Sequence, residues 1–496
     1  MKNTLGLLFL VCSAFTGSLQ AAAPPHWWES TAAIVRLSLK PERESESVSL
    51  KPEEARAILD HLAAKGVKAI EIFAPAYGGN SFHGLDTIDR YRIDPRAGTM
   101  EDFRRFIKLA HDRGFAVTGF DNLGYSAVDA MDFLKACDDV KAGRRSREAS
   151  FFLWSQSPDA PPPIRASGDT YFMVRPAHLP GSKPGTFYDP TKAEVWAYSD
   201  KAGQYYWSKW RGTDLNGHDV RLPQYDWSSP AFQEEARKIQ RFWMQTGLDG
   251  MVIDAVNWYV GYTWQVGRRN IIDVLAGFGD VYRQPEGAGG FHEDPVPWIT
   301  EGKWNSVQDY GLGIWWEKGS NVIERAIESG DPRPIERALR DYHDRVIEAG
   351  GSLYFQPAPS TDPVKKQFAL SLLATLGDLI QLSGREAEGL TAQEQWFLRA
   401  KAQHAALHQL SRRRALPVKS PERHYAFLRW AERGDERVLV VANFRPAPEE
   451  VIVDLSGVDA EDLTDLKTGE KVKRQPHVTF PLAGYGIRLF TIAPSL

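Results

Sequence analysis

Two cysteines occur in 496 residues, Cys12 and Cys137. Cys12 lies in a leader-like N-terminus, so after processing one thiol remains and no internal disulfide can form. The remaining Cys137 is expected to be buried. Beyond the N-terminus no apolar run is long enough to span a bilayer, so no membrane partner is expected. Neither charge sign dominates: 60 Lys and Arg face 64 Asp and Glu, a net charge of -4. That balance gives no reason to expect nucleic acid or an anionic membrane as partner. Internal repeats and low-complexity tracts are absent as well.

What is present is apolar and aromatic. The hydrophobic fraction of 43% supports a sizeable core, and 496 residues suffice for a large barrel plus smaller domains. There are 16 tryptophans, whose flat faces suit sugar rings and equally fill cores. The N-terminus has the form of a signal peptide over residues 1–23. Lys2 supplies the charge, residues 5–15 the apolar stretch, and Ala21, Ala22 and Ala23 the small-residue cleavage site. Val11 before Cys12 argues against a lipobox. A secreted or periplasmic monomer is expected.

Strands and helices then alternate. Residues 34–39, 69–73 and 116–120 read as buried strands, and residues 52–65 as a helix with Ala55, Ile58, Leu59 and Leu62 on one face. Thr99 and Asp102 form a capping-box pattern that opens a helix to Arg113. This alternation predicts a parallel sheet with right-handed crossovers. From 125 to 221 the rhythm breaks into a Pro-, Gly- and aromatic-rich insertion, the length of a subdomain or substrate-facing lid. It resumes at Ser229-Pro230 with a helix to Gly247. Strand four is placed at 250–254, five at 298–300, six at 313–316, seven at 352–356 and eight at 379–382. Eight strands are what a closed barrel needs. The barrel is thus assigned to 24–124 and 222–415, and an all-β sandwich to 416–496, with strands at 425–430, 438–442, 451–455 and 487–492.

Two segments carry chemistry. Gly250-Met-Val-Ile-Asp254 and Trp298-Ile-Thr-Glu301 each read as a short apolar strand ending on a carboxylate. Strand exits form the catalytic face of a β/α barrel. Two acids on neighbouring exits suit glycoside hydrolysis, one attacking the sugar and the other protonating the leaving oxygen. The plainer alternatives are a helix cap for Asp254 and a loop acid for Glu301.

The order of these pieces resembles the alpha-amylase family, glycoside hydrolase family 13, over nearly the whole mature chain. The matching motifs are Trp27-Trp28, the run from Phe82-His83-Gly84-Leu85-Asp86 to Asp94, Leu222-Pro-Gln-Tyr-Asp-Trp227, Gly250 to Val256 and Ile299-Thr-Glu-Gly302. The resemblance implies a (β/α)8 TIM barrel with a subdomain inserted after strand three and a C-terminal β-sandwich. It implies Asp254 as nucleophile, Glu301 as general acid/base and Asp362 as the third carboxylate, after Thr361, where the family has Asn-His. It also implies a carbohydrate substrate with α-linkages.

The departures are concentrated around the sugar. The family's strand-four arginine is Val252 here, the aromatic that stacks on the reacting sugar is Leu85, and three strand-three positions are Phe120, Gly124 and Tyr125. Gly124 matches a calcium ligand of the family, so calcium stays open and no other cofactor is expected. His83, Asn257 and Trp258 are further candidates for the sugar pocket; Tyr259, Tyr262 and Trp264 form either a sugar platform or helix packing, and His218 and Asp219 either border the cleft or lie on the surface. Without an arginine at 252, another cation is expected within about 6 Å of the Asp254 carboxylate. A retaining glycosidase is the leading reading. A transglycosidase with an unusual glycone, and a non-catalytic carbohydrate-binding protein on the same fold, are the alternatives.

Overall fold

The computed structural model describes residues 25–40, 47–81, 84–161, 163, 173–174, 187–188, 195–256, 259–260, 264–287, 294–313, 321–357, 362–431, 436–459 and 462–492. The leader-like segment 1–23, His83, Asn257, Trp258, Tyr262 and Thr361 lie outside them. Its centre is a barrel of eight parallel strands. These are β1 (Ala33–Ser38), β2 (Ala69–Phe73), β3 (Ala116–Asp121), β4 (Gly250–Ile253), β5 (Tyr282–Pro285), β6 (Ser306–Gln308), β7 (Ser352–Phe355) and β8 (Leu379–Ser383). Their order around the sheet is β5-β4-β3-β2-β1-β8-β7-β6. The remaining seam, β5 to β6, is bridged through Asn305. Arg283 N–H donates to its Oδ1 at 2.8 Å, and its own N–H donates to the Arg283 carbonyl at 3.3 Å.

Local chemistry places the surrounding helices. Thr99 and Asp102 close a capping box on helix Met100–His111, which buries Phe103, Phe106, Ile107 and Ala110. Ser229 caps helix Pro230–Met244, with proline at its start, and that helix buries Phe232, Ile239 and Trp243. Each such side chain contributes roughly 1.5–3 kcal/mol by leaving water. Gly250 opens β4 where a Cβ would strike the Tyr282 backbone, so glycine allows β4 and β5 to pack closely. Trp28 joins Ile34, Ala69, Ala116 and Tyr282 in the core below the strand exits.

Between β3 and β4 the insertion supplies helix Met131–Lys141 and an antiparallel sheet of Trp154–Ser155, Val195–Ser199, Gln204–Thr213 and Asp219–Pro223. Cys137 is buried in that helix. The C-terminal part packs a six-stranded sheet against the pair Glu449–Asp454 and His477–Leu482, around Val441, Val451, Phe480 and Phe490. It begins with strand Arg412–Ala415, slightly ahead of the expected boundary at 416. No described helix is long and apolar enough to cross a membrane.

Two barrel strands differ from expectation. Residues expected to form strand five are a helix, Val296–Thr300, and the fifth strand is Tyr282–Pro285. Strand six is Ser306–Gln308 rather than 313–316, of which 314–316 lie outside the described residues.

Candidate active site

Asp254 follows β4 directly, and its N–H donates to the Asp121 carbonyl at 2.8 Å. Glu286 follows β5 directly, and its N–H donates to the Ile253 carbonyl at 2.8 Å. Val256 N–H donates to the Glu286 carbonyl at 3.1 Å, and Ala255 N–H to Glu286 Oε2 at 2.9 Å. The two acids are therefore fixed on adjacent strand exits by the backbone between them. Both are partly exposed at the mouth of the barrel.

Their electrostatics are those of a crowded acid pair. Burial, then the Glu286 charge and more weakly Asp121, pushes the Asp254 carboxyl well above its usual range, while Arg36 opposes the rise. Burial also raises Glu286, with Glu71 adding to the rise and the Ala255 N–H and Arg36 resisting it. Two carboxyls coupled this way release protons as a pair, in two steps. Arg36 on β1 is the cation whose charge bears on both acids. It is basic, as the expected substitute for an arginine at 252 would be, and it comes from another strand.

Glu301 is misplaced in the strand-exit scheme. It is exposed at the C-terminal end of helix Val296–Thr300, and Glu286 occupies the exit of strand five. The helix has proline at its start, with Pro295 and Pro297 flanking Val296, a signal that outweighs the apolar look of Trp298-Ile-Thr. Asp362 is exposed and caps helix Pro363–Leu376, its carboxylate accepting from the N–H groups of Val364 and Lys365.

Leu85, Phe120, Tyr125 and Val252 do come together. With Phe73 and Tyr354 they form one buried apolar cluster at the barrel mouth, and Trp210 of the insertion packs on it. Tyr125 and Tyr310 feel the charges of both acids, which, with burial, raise their hydroxyls well above the usual range. Tyr259 is core: it stacks on Trp227 at 5.4 Å and its hydroxyl accepts from Leu123 N–H at 3.0 Å. His218 and Asp219 are surface groups paired with Asp214 and Arg211.

Calcium does not fit the strand-three position. A Cβ at Gly124 would lie 2.5 Å from the Tyr259 ring, so no ligating side chain has room there. The nearby Asn122 amide is engaged, accepting from Gly124 N–H at 2.7 Å and donating to the carbonyls of Leu85 and Tyr125 at 3.0 and 3.1 Å. Arg90 supplies the positive charge instead. Its guanidinium donates to the carbonyls of Asn122 and Tyr125, lies 3.5 Å from Asp121 and faces the Tyr225 ring.

A second group of acids lies behind the barrel wall. Asp309, His343 and Asp378 are buried, and one donor atom of each lies within 4.8 Å of the others, a set able to hold a metal ion. His343 Nε2 is 3.0 Å from Asp378 Oδ1, and the Asp378 charge bears on Asp309.

Comparison with known proteins bears on the barrel rather than on single residues. Residues 57–274 match the family model "Alpha amylase, catalytic domain". An alpha-glucosidase of Schizosaccharomyces pombe is 26% identical over 236 residues, 47% of this chain and 35% of that protein. An oligo-1,6-glucosidase of Parageobacillus thermoglucosidasius is 25% identical over 202 residues, 40% of this chain and 30% of that protein. The match thus spans only about a third of these relatives' length. The crystal structure of alpha-amylase from H.orenii superposes with a TM-score of 0.68 at 16% identity, covering 94% of this chain and 100% of that one. Residues 57–274 thus carry a match to the alpha-amylase catalytic domain, and the barrel shares the fold of that alpha-amylase.

Proposed function

We propose that this protein is a retaining glycosidase acting on α-linked glucosides or oligosaccharides. The observation that carries the reading is the pair Asp254 and Glu286, on adjacent strand exits and joined by the Ala255 N–H. Asp254 attacks the anomeric carbon while Glu286 gives its proton to the glycosidic oxygen, and the bond to the leaving group breaks. Glu286 then takes a proton from water, the water oxygen attacks the anomeric carbon, and the Asp254 ester bond breaks. The cycle needs one acid ionised and the other protonated, which a coupled pair provides.

Asp362 is proposed as the third carboxylate, reaching the sugar when its helix cap opens. A water acceptor gives hydrolysis and a sugar acceptor gives transglycosylation. The apolar set Leu85, Phe120, Tyr125 and Val252 favours an unusual glycone over plain starch. The relatives' names point to short α-glucosides, since they include alpha-glucosidases and oligo-1,6-glucosidases. A panel of α-glucosides and oligosaccharides, with product anomers followed by NMR, tests the proposal. Release of the α-anomer first supports it. A protein that binds glycans yet turns over none of them, with Asp254→Asn binding equally well, supports the non-catalytic alternative.

A further inference from the structure

We propose that Arg36, delivered from β1 and seated on Glu71, is the positioning cation of the Asp254–Glu286 pair, standing in from another strand for the charge that Val252 does not carry. The inference rests on the catalytic reading of that pair.

The geometry is specific. Arg36 is in register with Glu71 on β2, and its Nε donates to Glu71 Oε1 at 2.5 Å. The guanidinium carbon lies 4.8 Å from the centre of the Phe73 ring and 4.4 Å from that of Phe120. Both phenylalanines are two residues nearer the strand exits than the level of Arg36, because Phe73 pairs with Phe120 while Glu71 pairs with Thr118. The side chain therefore climbs one layer up the barrel interior and rests against both rings, whose own centres are 4.9 Å apart. Phe120 is in turn the register partner of Val252, so the guanidinium arrives beside the position where the cation is missing. Its Nη2 also reaches the Tyr354 hydroxyl, at 3.4 Å. The Arg36 side chain keeps 18% of its exposure while Glu71 keeps none, as expected of a charge anchored below and presented to the pocket above.

Guanidinium suits this task. It stays charged, is planar, and packs against aromatic rings. Glu71 fixes its direction and at the same time offsets part of its charge. The other groups around the pair do not substitute for it. Asp121 on β3 is itself an acid, compensated by Arg90. Tyr125 and Tyr310 face the pair as neutral phenols, and Asp86 faces Tyr125 from the loop after β2.

The two partners should act in opposite directions. Loss of the Arg36 charge makes ionisation of both acids harder. Loss of the Glu71 charge makes it easier. The test is the pH profile of kcat/KM for the wild type, Arg36→Met, Arg36→Lys, Glu71→Gln and the double variant Arg36→Met with Val252→Arg, with Tm as a folding control. Arg36→Met should move both limbs to higher pH by roughly one unit or more. Glu71→Gln should move both limbs lower. Arg36→Lys should stay nearer the wild type, and the double variant should return toward it. Limbs that stay fixed in Arg36→Met while kcat merely falls overturn the proposal, as does a shift of the same sign in Glu71→Gln. The carboxyl pKa values of Asp254 and Glu286 can also be read by ¹³C NMR titration without turnover. A shift there in an inactive protein sustains the role of Arg36 while the glycosidase reading fails, and no shift overturns it. If Arg36→Met does not fold, Glu71→Gln carries the test alone, and limbs that stay fixed or move higher in it overturn the proposal.

Discussion

The Ala255 N–H donates to Glu286 Oε2 at 2.9 Å, from a backbone held at a φ of 46°. A non-glycine residue in the left-handed region costs on the order of 1–2 kcal/mol. That cost falls on the residue between Asp254 and the start of the next loop. It turns the amide toward the acid of the neighbouring strand and so ties the orientation of one carboxyl to the backbone of the other.

Separation of the three acids by substitution follows from this. Asp254→Asn and Glu286→Gln should each lower kcat by roughly 10²–10⁴-fold or more with Tm little changed, because each removes a reacting group and keeps its shape. Glu301→Gln should be close to wild type, since Glu301 is exposed on a helix end away from the strand exits. Steady-state rates on any substrate found in the panel decide it. A dead Glu301→Gln with an active Glu286→Gln would reverse the assignment.

Asp362 has two possible duties, and asparagine separates them. Asn caps helices about as well as Asp. Asp362→Asn should therefore leave the helix Pro363–Leu376 and Tm nearly unchanged. A fall in kcat of tenfold or more then reports chemistry. Unchanged kcat would reduce Asp362 to the helix cap seen in the structure.

Much of this was legible in the sequence, and the misses share one cause. Capping residues, prolines and periodicity locate the early strands and helices because those elements obey local rules, as Thr99 and Asp102 do at Met100–His111. β5 does not. Tyr282, Gln284 and Ser306 are linked inside the barrel, the Tyr282 hydroxyl lying 3.0 Å from both Gln284 Oε1 and Ser306 Oγ. A strand whose buried face is polar and paired across strands has no apolar signature to read. The nearby Trp298-Ile-Thr has that signature and is a helix. Arg36 was similarly hidden: a cation on β1 is invisible in a motif search around Asp254, and only the barrel's register brings it there.

Arg90 is expected to do the structural work that a metal ion would do at the junction of barrel and insertion. It joins Asp121 and Asn122 of the barrel to Tyr125 and Tyr225 at the two ends of the insertion. Arg90→Met leaves Asp121 buried without its cation, at a cost of roughly 3–5 kcal/mol. Thermal unfolding should show the loss as a lower Tm that added calcium does not restore. The wild-type Tm should be unaffected by EDTA. A calcium-dependent Tm that persists in Asp378→Asn would overturn this account of the junction.

The buried group Asp309, His343 and Asp378 allows the sharpest stability test. Burial and the Asp378 charge push the Asp309 carboxyl well above the usual range. His343 is pulled down by burial but lifted more strongly by Asp378 and by its bond to Asp344, reaching about 9 against 6.5 for a free side chain. Its stabilising contribution is complete below pH 6.5 and is lost as the pH rises through 9. Lys401, lowered to about 7 mainly by burial, works in the opposite sense over that range. The wild-type curve should thus be shallow, and the His343 contribution should emerge as its difference from His343→Gln, shrinking as the pH rises. At neutral pH Asp309→Asn should lie within about 1 kcal/mol of wild type, because it removes an acid whose charged form burial and Asp378 already disfavour. Asp378→Asn should cost roughly 3–5 kcal/mol, because it strips a buried cation of its partner. If the three residues instead hold a metal ion, both asparagine variants should lose stability alike and a chelator should lower the wild-type Tm. Denaturant titration of the two variants, with and without chelator, separates a shared proton from a metal.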